Sequence, residues 1–275
     1  MTSATITSRA GHRSRRPVAF LLLRSEWTKI RSVRSTLWSL LLTVIAAVGL
    51  NTLIVSLAIA SWATTSPATK HEYLADPTGF LAAALGIAQI PLCVLAVMVI
   101  ASEYSTGMIR SSLLAVPRRI PMLAAKATVI GSLALAVGET VAFASFLIAQ
   151  RIIGSRLPES LGDPATTRAV IGVGLYLAVL ALFAFAVGAI IRHTAGAITA
   201  VIGLTLVARA LGGLLPGTVG QHIDAYLPGN AGLLITHTHQ AATDLLSPWQ
   251  GFGVFCLWTT ALFVVAGLML SWRDA

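Results

Sequence analysis

The sequence predicts an all-α integral membrane protein with six transmembrane helices, on three observations. Of its 275 residues, 56% are hydrophobic and 11% charged, with a mean hydropathy of +0.83, which excludes an ordinary soluble domain. Six stretches, 36–69, 77–102, 127–138, 169–191, 193–208 and 245–272, contain no Asp, Glu, Lys or Arg. The basic residues are crowded into alternate loops. Spans are predicted near 36–60, 79–101, 127–149, 169–191, 195–215 and 250–271. At 1.5 Å per residue, such helices reach roughly 31–38 Å, enough for a hydrocarbon core of about 30 Å.

The formal charge of +9 is a topology signal and not a footprint for nucleic acid. Eight of the 19 Lys and Arg residues lie between Arg9 and Arg34, and Arg110, Arg118, Arg119 and Lys126 lie in the second loop. Arg192 and Arg273 join them on the same side. The opposite loops hold only Lys70, Arg151, Arg156 and Arg168. The positive-inside rule then predicts a multi-pass protein of the cell membrane with both termini cytoplasmic.

Residues 1–16 are rich in Ser, Thr and Arg without apolar periodicity, which predicts a disordered basic cytoplasmic tail suited to anionic lipid headgroups. The rest, 17–275, reads as a single six-span transmembrane domain. Over 17–35, Phe20, Leu23, Trp27 and Ile30 recur at helical spacing, with Arg24, Glu26, Lys29, Arg31 and Arg34 assigned to the other faces. This predicts an amphipathic helix lying in the membrane interface.

The first span carries Asn51 and the second Gln89 and Pro91. Pro91 removes a backbone donor and should kink its helix. Asn51 and Gln89 are candidates either for helix–helix hydrogen bonds or for lining a path. The third span contains Glu139 and the fifth Arg209. Glu139 is roughly 18 Å from Ala127 and Arg209 roughly 21 Å from Ala195, so they form a candidate intramembrane charge pair. Outward snorkelling of Arg209 is the plain alternative. Cys93 and Cys256 are expected at different depths, too far apart to bridge. His222, His237 and His239 with Asp224 and Asp244 make only a weak metal pattern, and no metal site is assigned.

Between the second and third spans runs Glu103-Tyr-Ser-Thr-Gly-Met-Ile-Arg110, followed by Pro117, Arg118 and Arg119. Only Gly107 and Pro117 interrupt helical character, so 104–116 is predicted as a short helix outside the bilayer. Glu103, Gly107 and Arg110 fall at i, i+4 and i+7, on one face. A charged helix held between two spans predicts a docking surface. The alternative is a set of topology anchors.

No Gly-x-x-x-x-Gly-Lys-[Ser/Thr] loop, His-Glu-x-x-His or Gly-x-Ser-x-Gly occurs, so nothing in the chain asks for an enzyme. The Glu-x-x-x-Gly-x-x-Arg pattern at 103–110 with Pro117-Arg118 resembles the type-2 ATP-binding-cassette permeases, particularly bacterial ones exporting antibiotics and related compounds. The stretch Leu22-Leu-Arg-Ser-Glu-Trp-Thr-Lys-Ile30 and Tyr226-Leu-Pro228 extend the resemblance over most of the chain. It implies that 103–119 is a coupling helix docking a separate cytoplasmic ATPase, which would bind ATP and Mg while this chain binds no cofactor. It also implies a dimer, most simply a homodimer, with the substrate path between its halves. A non-transporting scaffold or sensor that recruits an ATPase or kinase is the alternative. A secondary transporter is disfavoured because Glu139 is the only acid within a predicted span.

Overall fold

A computed structural model describes residues 18–76, 78–105, 119–154, 160–212, 217–241 and 244–272. Among them every regular element is helical. Helix α1 (Val18–Ser32) leads into α2 (Arg34–Ala60), then come the short α3 (Pro67–Ala75), α4 (Gly79–Ala88) and α5 (Ile90–Ser105). Next are α6 (Arg119–Ile153), α7 (Pro164–Ile191) and α8 (Thr194–Ile202), which passes through a π-helical turn, Gly203–Val207, into α9 (Ala208–Gly212). α10 (Gly217–Tyr226), α11 (Pro228–Leu233), a 3-10 turn (Leu234–Thr236) and α12 (Pro248–Trp272) complete the fold.

Five helical stretches are long and apolar enough to cross a membrane: Arg34–Ala60, Ile120–Ile153, Pro164–Ile191, Thr194–Leu211 and Pro248–Leu270. α4 and α5 meet the same test together, as a pair bent by 43°. The bend falls at Gln89, two residues before Pro91, as the missing proline N–H requires. The protein is therefore a multi-pass, all-α membrane protein. Several boundaries differ from the sequence expectation, two of them around the predicted docking stretch. α5 runs on through Ser105, so Glu103 and Tyr104 belong to its last turn and not to a separate short helix. α6 begins at Arg119 and, at 35 residues, is about 52 Å long. It therefore extends beyond a single hydrocarbon core. The tail 1–16 and residues 106–118 lie outside the described residues.

α7 is the central helix, buried nearly throughout from Ala169 to Ala189 and packed on α5, α6, α8 and α12. Its ends are well defined. Asp163 Oδ2 accepts from Thr166 N at 3.0 Å, with Pro164 in the first turn, an N-cap that satisfies an orphan donor. At the other end Arg192 adopts a left-handed conformation, φ 59°, closing the helix. Lipid offers little hydrophobic drive for helix association, so close packing through small residues must hold such a bundle. Gly138 of α6 faces Gly174 of α7: a Cβ on Gly138 would come within 2.8 Å of the Gly174 Cα. By contrast, α2 leaves Leu37, Trp38, Leu41, Leu42 and Ile45 exposed.

Long-range contacts within the chain fix which ends lie together. Glu26, Glu103 and Lys126 meet at one end, here termed basal, and the end of α7 meets the end of α12 there as well. At the distal end Asp76, just before α4, meets His237 and Thr238, whose carbonyls accept from Arg168 at the start of α7. Tyr73, Phe80 and Trp62 form an aromatic cap there, with Tyr73 and Phe80 centroids 4.9 Å apart.

Candidate functional site

The basal end contains a group of four charges drawn from three helices. Lys126, on α6, is only 1% exposed, and its Nζ donates to Glu26 Oε2 of α1 at 2.5 Å and to Glu103 Oε1 of α5 at 2.6 Å. Lys29 adds a bond to Glu26 Oε1 at 3.1 Å and a longer one to Glu103 Oε1 at 3.5 Å. Glu26 and Glu103 are 4% and 5% exposed. A lone buried charge would be driven toward neutrality. Here two carboxylates and two ammonium groups compensate one another, and the geometry supplies the hydrogen bonds that make such burial tolerable. At Lys29 burial pushes the ammonium pKa down, but Glu26 and Glu103 outweigh it and raise the value above that of an ordinary lysine.

Next to Glu103, Tyr104 is held from a second direction. The Arg192 guanidinium lies over its ring, 4.8 Å from the centroid, a cation–π arrangement. Arg192 Nη2 also reaches the Met269 carbonyl of α12 at 3.4 Å. The last turn of α5 is thus tied to α1 and α6 through Glu103, and to α7 and α12 through Tyr104. The distance from Glu103 to Lys126 brackets the stretch predicted to dock a partner.

Glu26, expected away from the apolar stripe of α1, and Lys126, counted only toward topology, are both buried. The signal was available. Glu26 falls between Leu23 and Ile30 on the apolar stripe of α1. Lys126 falls among Met122, Leu123, Val129 and Ile130, all buried on α6. A single charge within an apolar stripe requires a partner, but sequence spacing alone does not identify one.

Of the predicted docking residues, Gly107, Arg110 and Arg118 lie outside the described residues, as does the Arg119 side chain. Glu103 is described, and it engages Lys126 and Lys29 as an inward-facing anchor. Asn51 Nδ2 donates to the Ser145 carbonyl of α6 at 3.2 Å, and Gln89 Oε1 accepts from Tyr176 Oη of α7 at 2.6 Å. Both amides are therefore buried in helix–helix bonds within one chain.

Glu139 and Arg209 form no ion pair among the described residues. Glu139 is directed at α7, where a Cβ on Gly174 would come within 2.8 Å of its Cγ. Arg209 instead borders a distal cavity of about 320 Å³ shared with Gln221, Asp224, Asn230, His237 and Asp244. The π-turn at Gly203–Val207, unforeseen from sequence, lies between Ala195 and Arg209, so the straight-helix depth used to match the two charges does not hold for α8–α9.

A second polar junction closes the distal end. Asp76 accepts from His237 Nδ1 at 2.5 Å, Thr238 Oγ1 at 2.7 Å, Thr78 Oγ1 at 2.9 Å and Thr238 N at 3.0 Å. Burial pushes its carboxyl pKa up, but His237 and Thr238 outweigh this and bring it down to about 2. No family model matches the chain, and no curated protein matches it.

Proposed function

We propose that the chain is the membrane-spanning permease subunit of an ATP-binding-cassette transporter, exporting a small amphipathic compound. A separate ATPase, carrying ATP and Mg, docks on 103–119, and two copies of the chain enclose the path. On this reading the bent α4–α5 pair is the second of six spans and α1 lies in the cytoplasmic interface. The basal end, which gathers Arg24, Arg31, Arg34, Lys126 and Arg192, faces the cytoplasm with both termini.

The observation that carries the proposal is the bracing of the chain on either side of 106–118. A segment that passes movement from an ATPase to membrane helices must be joined to them without slack. Glu103 and Tyr104 lead into it and Lys126 follows it, and all three are anchored between helices. A push on the segment would then move α5 and α6 together with α1 and α7, a rigid-body mode of switching. The glutamate of the Glu-x-x-x-Gly-x-x-Arg pattern serves this role by facing inward, leaving Arg110, Arg118 and Arg119 as the docking charges.

Affinity purification of the full chain from its native membranes should retain a soluble ATPase with a phosphate loop, and crosslinking should trap a dimer. Arg110→Glu should lose the ATPase at unchanged membrane insertion. Undiminished co-purification would remove Arg110 from the docking surface. Retention of the ATPase without ATP-dependent export of any amphipathic compound from reconstituted vesicles would favour the scaffold reading.

A further inference from the structure

The distal cavity beside Arg209 holds about 320 Å³, the size of a small-molecule site. Its walls come from α9, α10, α11 and the stretch leading into α12. We propose that it binds a small basic amino acid of the lysine type. The carboxylate lies on Arg209, the two ammonium groups lie toward Asp224 and Asp244, and the aliphatic chain joins them. The assignment stands apart from the transport reading, because it rests only on the packing of these distal elements.

The charges of the wall identify the ligand. Arg209 makes no hydrogen bond or ion pair among the described residues, and no nitrogen of its guanidinium is sealed from solvent. Asp224 Oδ1 accepts from Asn230 Nδ2, and Asp244 Oδ2 accepts from Ala241 N. Their second oxygens have no partner among the described residues and are likewise unsealed. His237, on the same wall, is engaged with Asp76. The lining therefore offers two open carboxylates and one open guanidinium, an excess of one negative charge. A simple anion is repelled by the aspartates, and a simple amine leaves the guanidinium without an acceptor. A molecule with one carboxylate and two ammonium groups answers all three. No three His, Cys, Asp or Glu side chains converge as metal ligands among the described residues, so the complement is an organic cation and not a metal ion.

The backbone is shaped to present that guanidinium. The π-turn Gly203–Val207 holds one residue more than an α-turn, so it rotates Arg209 by about 100° relative to a continuous helix. Such turns recur at functional sites. This one is clamped in place. α11 approaches so closely that a Cβ on Gly229 would collide with the Thr205 carbonyl, and Thr205 Oγ1 donates to the Val201 carbonyl at 2.8 Å. Leu233 and Leu246, both buried, add apolar walls to the cavity, which suit a chain of methylenes.

The test is equilibrium dialysis of radiolabelled L-lysine against the full chain in phosphatidylcholine nanodiscs, with unlabelled cadaverine and L-norleucine as competitors. Cadaverine lacks the carboxylate and norleucine lacks the side-chain ammonium, while the rest of the molecule is shared. Each should bind roughly tenfold more weakly than lysine, the scale of one charge-assisted hydrogen bond. In Arg209→Gln, lysine should bind no better than cadaverine. Ala225→Phe fills the cavity without changing its charge and should abolish lysine binding. Thermal unfolding establishes that each variant is folded, and the wild-type ranking decides alone if one is not. Absence of lysine binding by the wild type overturns the proposal, as does binding no stronger than that of either competitor. A preference for lysine over cadaverine that survives in folded Arg209→Gln also overturns it, and so does lysine binding by folded Ala225→Phe.

Discussion

Lys126 of α6 and Glu26 of α1 meet at 2.5 Å across one hundred residues of sequence. Through the same ammonium α5 is joined to both, by Glu103 at 2.6 Å. One buried cation thus fastens the amphipathic N-terminal helix to the two helices that flank 106–118. A geometry of this kind stabilises only while all members are present.

Lys126→Met should therefore be severely destabilising, because it leaves two buried carboxylates with Lys29 alone. Breaking a buried ion group in this way costs about 3–5 kcal/mol, while replacing all partners with uncharged residues of similar size is often nearly neutral. The triple change Lys126→Met, Glu26→Gln, Glu103→Gln should recover most of the lost thermal stability in detergent. Losses that simply add across the three sites would show that the charges act separately.

Most of the architecture was legible in the sequence because a bilayer demands long apolar helices, and those are written directly as uncharged runs. The kink near Gln89 could be read from Pro91 for an equally local reason. What escaped was set by three-dimensional neighbours. Glu26 and Lys126 look like surface charges until α1 is laid against α6. Asn51 and Gln89 are polar in either reading, and spacing does not identify Ser145 and Tyr176 as the groups they bond. The π-turn before Arg209 has no spacing signature at all. At Glu103 the neighbouring helices turn inward a side chain that spacing alone placed on a docking face.

At the distal end, stability should depend on acid pH through Asp76. Its folded-state pKa, about 2, lies below the value near 3.9 expected in an unfolded chain. Its contribution is therefore complete above about pH 4 and is lost as pH falls toward 2. After allowance for partial exposure, the loss should be on the order of 1–2 kcal/mol. Melting curves from pH 5 to pH 2 should show this decline, and Asp76→Asn should lower stability at pH 7 and flatten that part of the profile. An unchanged pH slope in Asp76→Asn would assign the decline to other carboxylates.

Glu139 and Arg209 should behave as independent sites. Glu139 Oε2 is buried without a hydrogen-bond partner, so its ionised form is held at a cost that a neutral amide would reduce. Glu139→Gln is accordingly expected to raise thermal stability, by roughly 1 kcal/mol. Arg209 stands beside a cavity with Asp224 and Asp244. Arg209→Gln removes that attraction across an open, polar space and should lower stability by less than about 1 kcal/mol. The two effects have opposite signs and no shared partner, so the double variant should equal their sum within about 0.3–0.5 kcal/mol. A direct ion pair predicts the reverse pattern, in which each single change destabilises and the double change restores. Thermal unfolding of the four proteins in detergent and in lipid nanodiscs separates the two cases. Rescue in nanodiscs alone would mean that the bilayer brings α6 and α9 together, and additivity in both media would leave Glu139 as an unpaired acid facing α7.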